Sequence, residues 1–157
     1  MNRSLLITSG AGEARTELAA FDAALLSAGV GNFNLIRLSS VIPAGSMIVE
    51  KRPELPASEW GWRLYVVLAE RRTSQVGAEA WAGIGWIQDP TTGCGLFVEH
   101  EGGSEGVVER LIEDSLASMR ASREDTFGPV QMVTRGVRCN DQPVCAAVAA
   151  VYASVPW

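Results

Sequence analysis

The chain has 157 residues, of which 47% are hydrophobic and 20% charged, with a mean hydropathy of +0.12; that is the composition of one folded domain, not of a disordered segment. Thirteen Lys and Arg against 18 Asp and Glu leave a net charge of −5, a balance that disfavours nucleic acid as a partner and suits a cationic small molecule. No apolar stretch approaches the roughly 20 residues that cross a bilayer, so no membrane partner is expected. The start, Met1-Asn2-Arg3-Ser4-Leu5-Leu6-Ile7, lacks the roughly 7–15 apolar residues of a secretory signal.

Three cysteines, Cys94, Cys139 and Cys145, are odd in number and show no CxxC spacing, which predicts reduced thiols in a cytoplasmic protein. His100 is the one histidine. It excludes multi-histidine metal sites, and no metal is expected.

In chain order, Arg3 to Thr8 alternates weakly and predicts a strand ended by Ser9-Gly10-Ala11-Gly12. A helix follows to Ala28, with Thr16 as N-cap, Gly29 just beyond the end, and Leu18, Phe21, Leu25 and Leu26 as its apolar face. Asp22 falls near the edge of that face, an awkward place for an unpartnered carboxylate. Gly29-Val30-Gly31-Asn32 reads as a turn, Phe33 to Leu38 as a strand, and Arg52 to Glu59, with Pro53 and Pro56, as an exposed loop. Further strands are predicted at Trp62–Ala69, Glu79–Ile87 and Gly95–Glu99, with polar Glu70 to Val76 as a hairpin loop or strand edge. The second helix is capped by Ser104 and carries a stripe of Val107, Val108, Leu111, Ile112, Ser115, Leu116 and Met119. Val130 to Arg138 and the small apolar run Val144 to Tyr152 complete a mixed α+β domain over residues 1–157.

P-loop, HExxH and GxSxG patterns are absent. Gly29-Val30-Gly31 lies after a helix and before a strand, the reverse of a dinucleotide fingerprint. On spacing alone, Glu99-His100-Glu101 is a solvated strand end and Ser39-Ser40 a pair of turn hydroxyls.

The surrounding residues change that reading. The run Leu18-Ala19-Ala20-Phe21-Asp22-Ala23-Ala24-Leu25-Leu26-Ser27-Ala28-Gly29-Val30-Gly31-Asn32-Phe33-Asn34-Leu35-Ile36-Arg37-Leu38-Ser39-Ser40-Val41-Ile42-Pro43 resembles the processing region of the pyruvoyl-dependent arginine decarboxylases. Downstream, Cys94-Gly95-Leu96-Phe97-Val98-Glu99-His100-Glu101-Gly102 resembles the family segment that carries the catalytic acid. His100 departs from the family's usual Tyr, and Ala44 stands where a second Pro is frequent.

The resemblance implies a four-layer αββα sandwich and self-cleavage between Ser39 and Ser40, giving a β chain of residues 1–39 and an α chain of residues 40–157. It further implies a covalent pyruvoyl group made from Ser40 and decarboxylation of L-arginine to agmatine. The ketone would condense with the substrate amine and drain the electrons left as carbon dioxide departs. Glu99 is the implied proton donor, a role that calls for shielding from water, and Glu101, two residues on, competes for it. Asp22 is the implied partner of the substrate guanidinium, with Leu18 and Gly31 lining the same subsite. Asn34 is expected to polarise the carbonyl of Ser39 or to orient the substrate. The family assembles as trimers with substrate held between protomers, so a homotrimer is expected. Backbone strain at the Ser39–Ser40 peptide is a further expectation. Three alternatives stand beside this reading: a pyruvoyl decarboxylase for another amino acid, an N-terminal nucleophile hydrolase with a free Ser40, and a binding protein that never cleaves.

Overall fold

The computed structural model describes residues 3–157; Met1 and Asn2 of the expected β chain lie outside them. The elements are β1 (Arg3–Glu13), α1 (Glu17–Ala28), β2 (Asn34–Arg37), β3 (Val41–Ile42), β4 (Ser46–Glu50), β5 (Arg63–Thr73), β6 (Glu79–Gln88), β7 (Gly95–Gly102), α2 (Glu105–Ala121), β8 (Gln131–Arg138) and β9 (Val144–Val155). One sheet has the order β2-β5-β9-β1-β4 and the other β3-β7-β6-β8. The first is mixed, with β1 parallel to β4 and β2 parallel to β5. In the second, all neighbours run antiparallel.

Period-2 alternation along the strands produces three cores and hence four layers. In β9, Ala146, Val148 and Ala150 enter the core between the sheets, where Leu5, Ile7, Ile84 and Phe97 meet them. The alternate residues Cys145, Ala147, Ala149 and Val151 pack against Ala20, Ala24 and Ala28 of α1. On the far side, Ile87, Leu96 and Val98 pack against Val108, Ile112 and Leu116 of α2. The αββα sandwich is therefore present as expected.

Both helices begin as predicted: Thr16 accepts from the Ala19 N–H at 3.1 Å and Ser104 from that of Val107 at 3.3 Å. Gly29 closes α1 in the left-handed region at φ +85°, where glycine carries no steric penalty.

Several expectations need correction. β1 does not stop at Thr8 but runs through Gly10 and Gly12 to Glu13. A Cβ on Gly10 would lie 2.2 Å from the Ala24 carbonyl oxygen and one on Gly12 2.5 Å from that of Ala20, so these glycines admit α1 against the strand. For the same reason α1 buries Ala20, Ala24, Leu25 and Ala28, while Leu18 and Leu26 are exposed. A helix this close to a sheet presents mainly its small residues to it, with Leu25 the one leucine among them. Glu70–Thr73 is a continuation of β5, paired with Val144–Ala147 of β9. β4 and the 3₁₀ turn Ala57–Glu59 were not expected from the sequence pattern.

Candidate active site

The connection from β2 to β3 crosses from the edge of one sheet to the edge of the other. The Leu38 N–H still donates to the Val66 carbonyl at 2.9 Å on the first sheet, whereas the Ser40 carbonyl already accepts from the Phe97 N–H at 2.8 Å on the second. Ser39 alone spans the gap, exposed, and Ser40 is buried. Ser40 has φ +79° and is the only non-glycine residue with positive φ among those described. For a residue with a Cβ that conformation costs about 1–2 kcal/mol. The expected strain is thus located on the second serine of the pair.

In β7, Phe97 faces the other sheet while Leu96 and Val98 face α2. The same alternation sends Glu99 and Glu101 toward the inter-sheet side and His100 toward α2, where its Nε2 lies 2.6 Å from the Ser115 hydroxyl. The Ser40 hydroxyl donates to Glu99 Oε2 at 2.8 Å. Glu101 is instead paired with Arg71 at 2.8 Å. The carboxylate that reaches Ser40 is therefore Glu99. Its side chain is exposed in the single chain, so this chain alone does not supply the shielding expected of the implied proton donor.

The sequence reading passed over Tyr152. Its phenol donates to the Val41 carbonyl at 2.9 Å, and its ring packs edge-on to Phe97 with centroids 6.2 Å apart. Burial, reinforced by the nearby Glu99 charge, pushes its hydroxyl up to about 12. The available signal was a lone aromatic with a polar tip in an otherwise small-residue strand.

The remaining sequence candidates gather elsewhere. Asp22, Gly31 and Asn34 line an open groove with Leu26, Asn32, Phe33, Trp60 and Gly61. Glu99 lines another, with Arg37, Glu70 and Glu101; the two grooves share no residue. Asp22 is exposed and makes no ion pair among the described residues, because α1 turns its alanines, not Asp22, to the sheet. Leu18, one helical turn before Asp22, is 68% exposed and does not line that groove. Asn34 donates to the Gly61 carbonyl at 2.7 Å, so in this chain its amide holds the 60–62 loop instead of the Ser39 carbonyl.

All three thiols are free. Among the described residues no helix is long and apolar enough to cross a membrane.

A family model described as pyruvoyl-dependent arginine decarboxylase matches residues 4–155. A pyruvoyl-dependent arginine decarboxylase of Halobacterium salinarum is 41% identical over 128 residues, covering 78% of this chain and 77% of the relative. One from Pyrococcus abyssi is 32% identical over 155 residues, covering 95% of this chain and 93% of the relative. A solved structure of a pyruvoyl-dependent histidine decarboxylase superposes with TM-score 0.46 at 17% identity, over 68% of this chain and 55% of that one, a likeness too loose to carry a functional reading. The motifs around Asp22–Ser40 and Glu99 and the match across nearly the full length agree: the chain belongs to the pyruvoyl-dependent arginine decarboxylase family.

Proposed function

We propose that this chain cleaves itself between Ser39 and Ser40, converts Ser40 to a pyruvoyl group, and decarboxylates L-arginine to agmatine and carbon dioxide. The observation that carries the proposal is the buried Ser40 hydroxyl hydrogen-bonded to Glu99 at 2.8 Å, on a residue with φ +79°.

These residues fit the group. As the Ser40 Oγ bonds to the Ser39 carbonyl carbon, its proton passes to Glu99 and from there to the peptide nitrogen, whose bond to that carbon breaks to leave an ester and a free amine. The rearrangement frees Ser40 from its unfavourable φ. Loss of the residue 40 α-proton then expels Ser39 as a carboxylate and leaves a carbon–carbon double bond. Tautomerisation and attack of water release ammonia and leave the ketone, with one water consumed overall. The products are residues 1–39 and residues 40–157.

The pyruvoyl group supplies the ketone that binds the substrate amine and accepts the electrons left when carbon dioxide departs. The Phe97 N–H, bonded to the carbonyl of residue 40, holds the amide next to that ketone. Glu99, released from the Ser40 hydroxyl, carries the proton that replaces carbon dioxide on the substrate carbon.

In this reading Asp22, exposed in its groove, receives the guanidinium by a charge-assisted bidentate pair. Because its groove and that of Glu99 share no residue, we assign the pairing to Asp22 of one copy and Glu99 of the next. A homotrimer completes the site and covers the exposed Leu18, Leu26 and Trp60. Three free thiols suit the reducing cytoplasm.

The test is incubation of purified protein followed by a denaturing gel, intact mass and product assay. Two fragments, a pyruvoyl terminus and agmatine are expected. A single full-length band with no carbon dioxide from arginine overturns the proposal, and a free serine at residue 40 replaces it with hydrolase chemistry.

A further inference from the structure

Cleavage after Ser39 leaves residue 40 at the start of a new chain, ahead of a strand of only two residues, Val41–Ile42. β3 is an edge strand with β7 as its single neighbour. A chain end on such an element frays unless it is tied down. Before cleavage it is held from both sides, by the Leu38–Val66 hydrogen bond upstream and the Ser40–Phe97 hydrogen bond across to β7. Cutting the peptide removes the upstream tether.

Successive carbonyls in a strand point to opposite sides. The Ser40 carbonyl faces β7, so that of Val41 faces the open edge, where the Tyr152 hydroxyl donates to it at 2.9 Å. Tyr152 reaches there from β9 in the other sheet, with its ring set against Phe97 by an edge-on contact at 6.2 Å. This is the same Phe97 whose N–H holds the residue 40 carbonyl. The new terminus is therefore gripped from both edges by one packed pair of aromatic residues.

We propose that Tyr152 is a positioning residue that holds the α-chain terminus in register after self-cleavage, fixing the electrophile at residue 40 relative to Glu99. The inference rests on the pyruvoyl reading above and deepens it. With its hydroxyl pushed up to about 12 by burial and the Glu99 charge, Tyr152 remains a donor across the working pH range.

The experiment is Tyr152→Phe, which removes the hydroxyl and keeps the ring, compared with wild type in four readouts. Thermal melting within a few degrees establishes that the fold is intact. Self-cleavage on a denaturing gel is expected to stay within about twofold of wild type, because the precursor has its upstream tether. In the processed enzyme kcat is expected to fall about five- to tenfold with KM within about twofold, the effect of one neutral hydrogen bond. Hydrogen exchange of the peptide containing the Phe97 amide is expected to quicken in processed Tyr152→Phe and to be unchanged when the same substitution is made on uncleaved Ser40→Ala protein. Unchanged kcat and exchange overturn the assignment, as does a loss of self-cleavage as large as the loss of turnover. If wild-type protein does not cleave at all, the pyruvoyl reading and this inference fall together; if it cleaves and Tyr152→Phe behaves like wild type, this inference alone falls.

Discussion

Ser40 and Glu99, separated by 59 positions in the chain, meet at 2.8 Å because β3 pairs with β7, Val41 opposite Leu96. The serine is the donor, so in the proposed self-cleavage the carboxylate takes its proton at the first step. Ser40→Ala is expected to leave one full-length band after prolonged incubation. Glu99→Gln retains a hydrogen-bond partner and loses the base. Its self-cleavage and turnover are each expected to fall by about 10²–10⁴, measured by gel densitometry and agmatine formation.

Glu101 lies on the same side of β7 but is bound to Arg71 on the surface. Glu101→Gln is expected to stay within about fivefold of wild type in both steps and to cost less than about 1 kcal/mol of stability. Denaturant melts and a time course of cleavage check both statements.

Asp22 is exposed and unpaired among the described residues, so its carboxylate is free to receive a cation. Asp22→Asn is expected to raise KM for arginine about 10- to 100-fold, the effect of a hydrogen bond to a charged group, with self-cleavage unchanged. Equal damage to KM and to the cleavage rate would remove Asp22 from the substrate site.

Alkaline sensitivity follows from two shielded acids, the buried Cys145 and the half-buried Tyr152. Burial, with the neighbouring Glu70 charge, pushes the Cys145 thiol from 9.0 up to about 12. Tyr152 is pushed from 10.0 up to about 12. Between those limits the unfolded chain has lost protons that the folded chain retains, so stability falls as pH rises. It is fully present below about pH 9, declines as the unfolded thiol ionises, and declines more steeply above pH 10. Cys145→Ala is expected to remove the first part of the slope and Tyr152→Phe the second, in urea melts taken from pH 8 to 12.

Gly85 sits under α2, and a Cβ there would lie 2.1 Å from Ile112 Cγ2; at Gly10 the obstacle is the Ala24 carbonyl oxygen at 2.2 Å. Side chains move more readily than helix backbone. Gly10→Ala is therefore expected to cost more than Gly85→Ala, with both in the range of about 1–3 kcal/mol for overpacked sites, measured by thermal and denaturant unfolding.

What the sequence displayed and what it hid divide along physical lines. Caps and amphipathic stripes act within a few residues, and Thr16, Gly29, Ser104 and the Val108–Ile112–Leu116 face were legible for that reason. Close packing is not local. Gly10 and Gly12 resemble a strand terminator until α1 is laid across them, and Leu18 resembles a core residue until the alanines beside it take that place. At the site, the motifs pointed to Ser40 and Glu99 separately, and the β3–β7 pairing joins them. Tyr152 could not be placed without knowing that its side chain reaches from β9 to the Val41 carbonyl in the other sheet. Asn34, expected to polarise the Ser39 carbonyl or to orient the substrate, donates to the Gly61 carbonyl, a partner 27 residues away that only the loop geometry supplies.

The order β2-β5-β9-β1-β4 has a consequence for the cut protein. β1 and β2 precede the nick and the other three strands follow it, so β1 is sandwiched between two strands of the opposite fragment. If the chain cleaves as proposed, the nick severs one peptide without loosening the weave, and the two pieces are expected to leave a column together until a denaturant parts them. Maturation would then also be a ratchet. The intact precursor would refold as a single chain, whereas melted mature enzyme would have to reassemble from two separate polypeptides, so its recovery would become dependent on concentration.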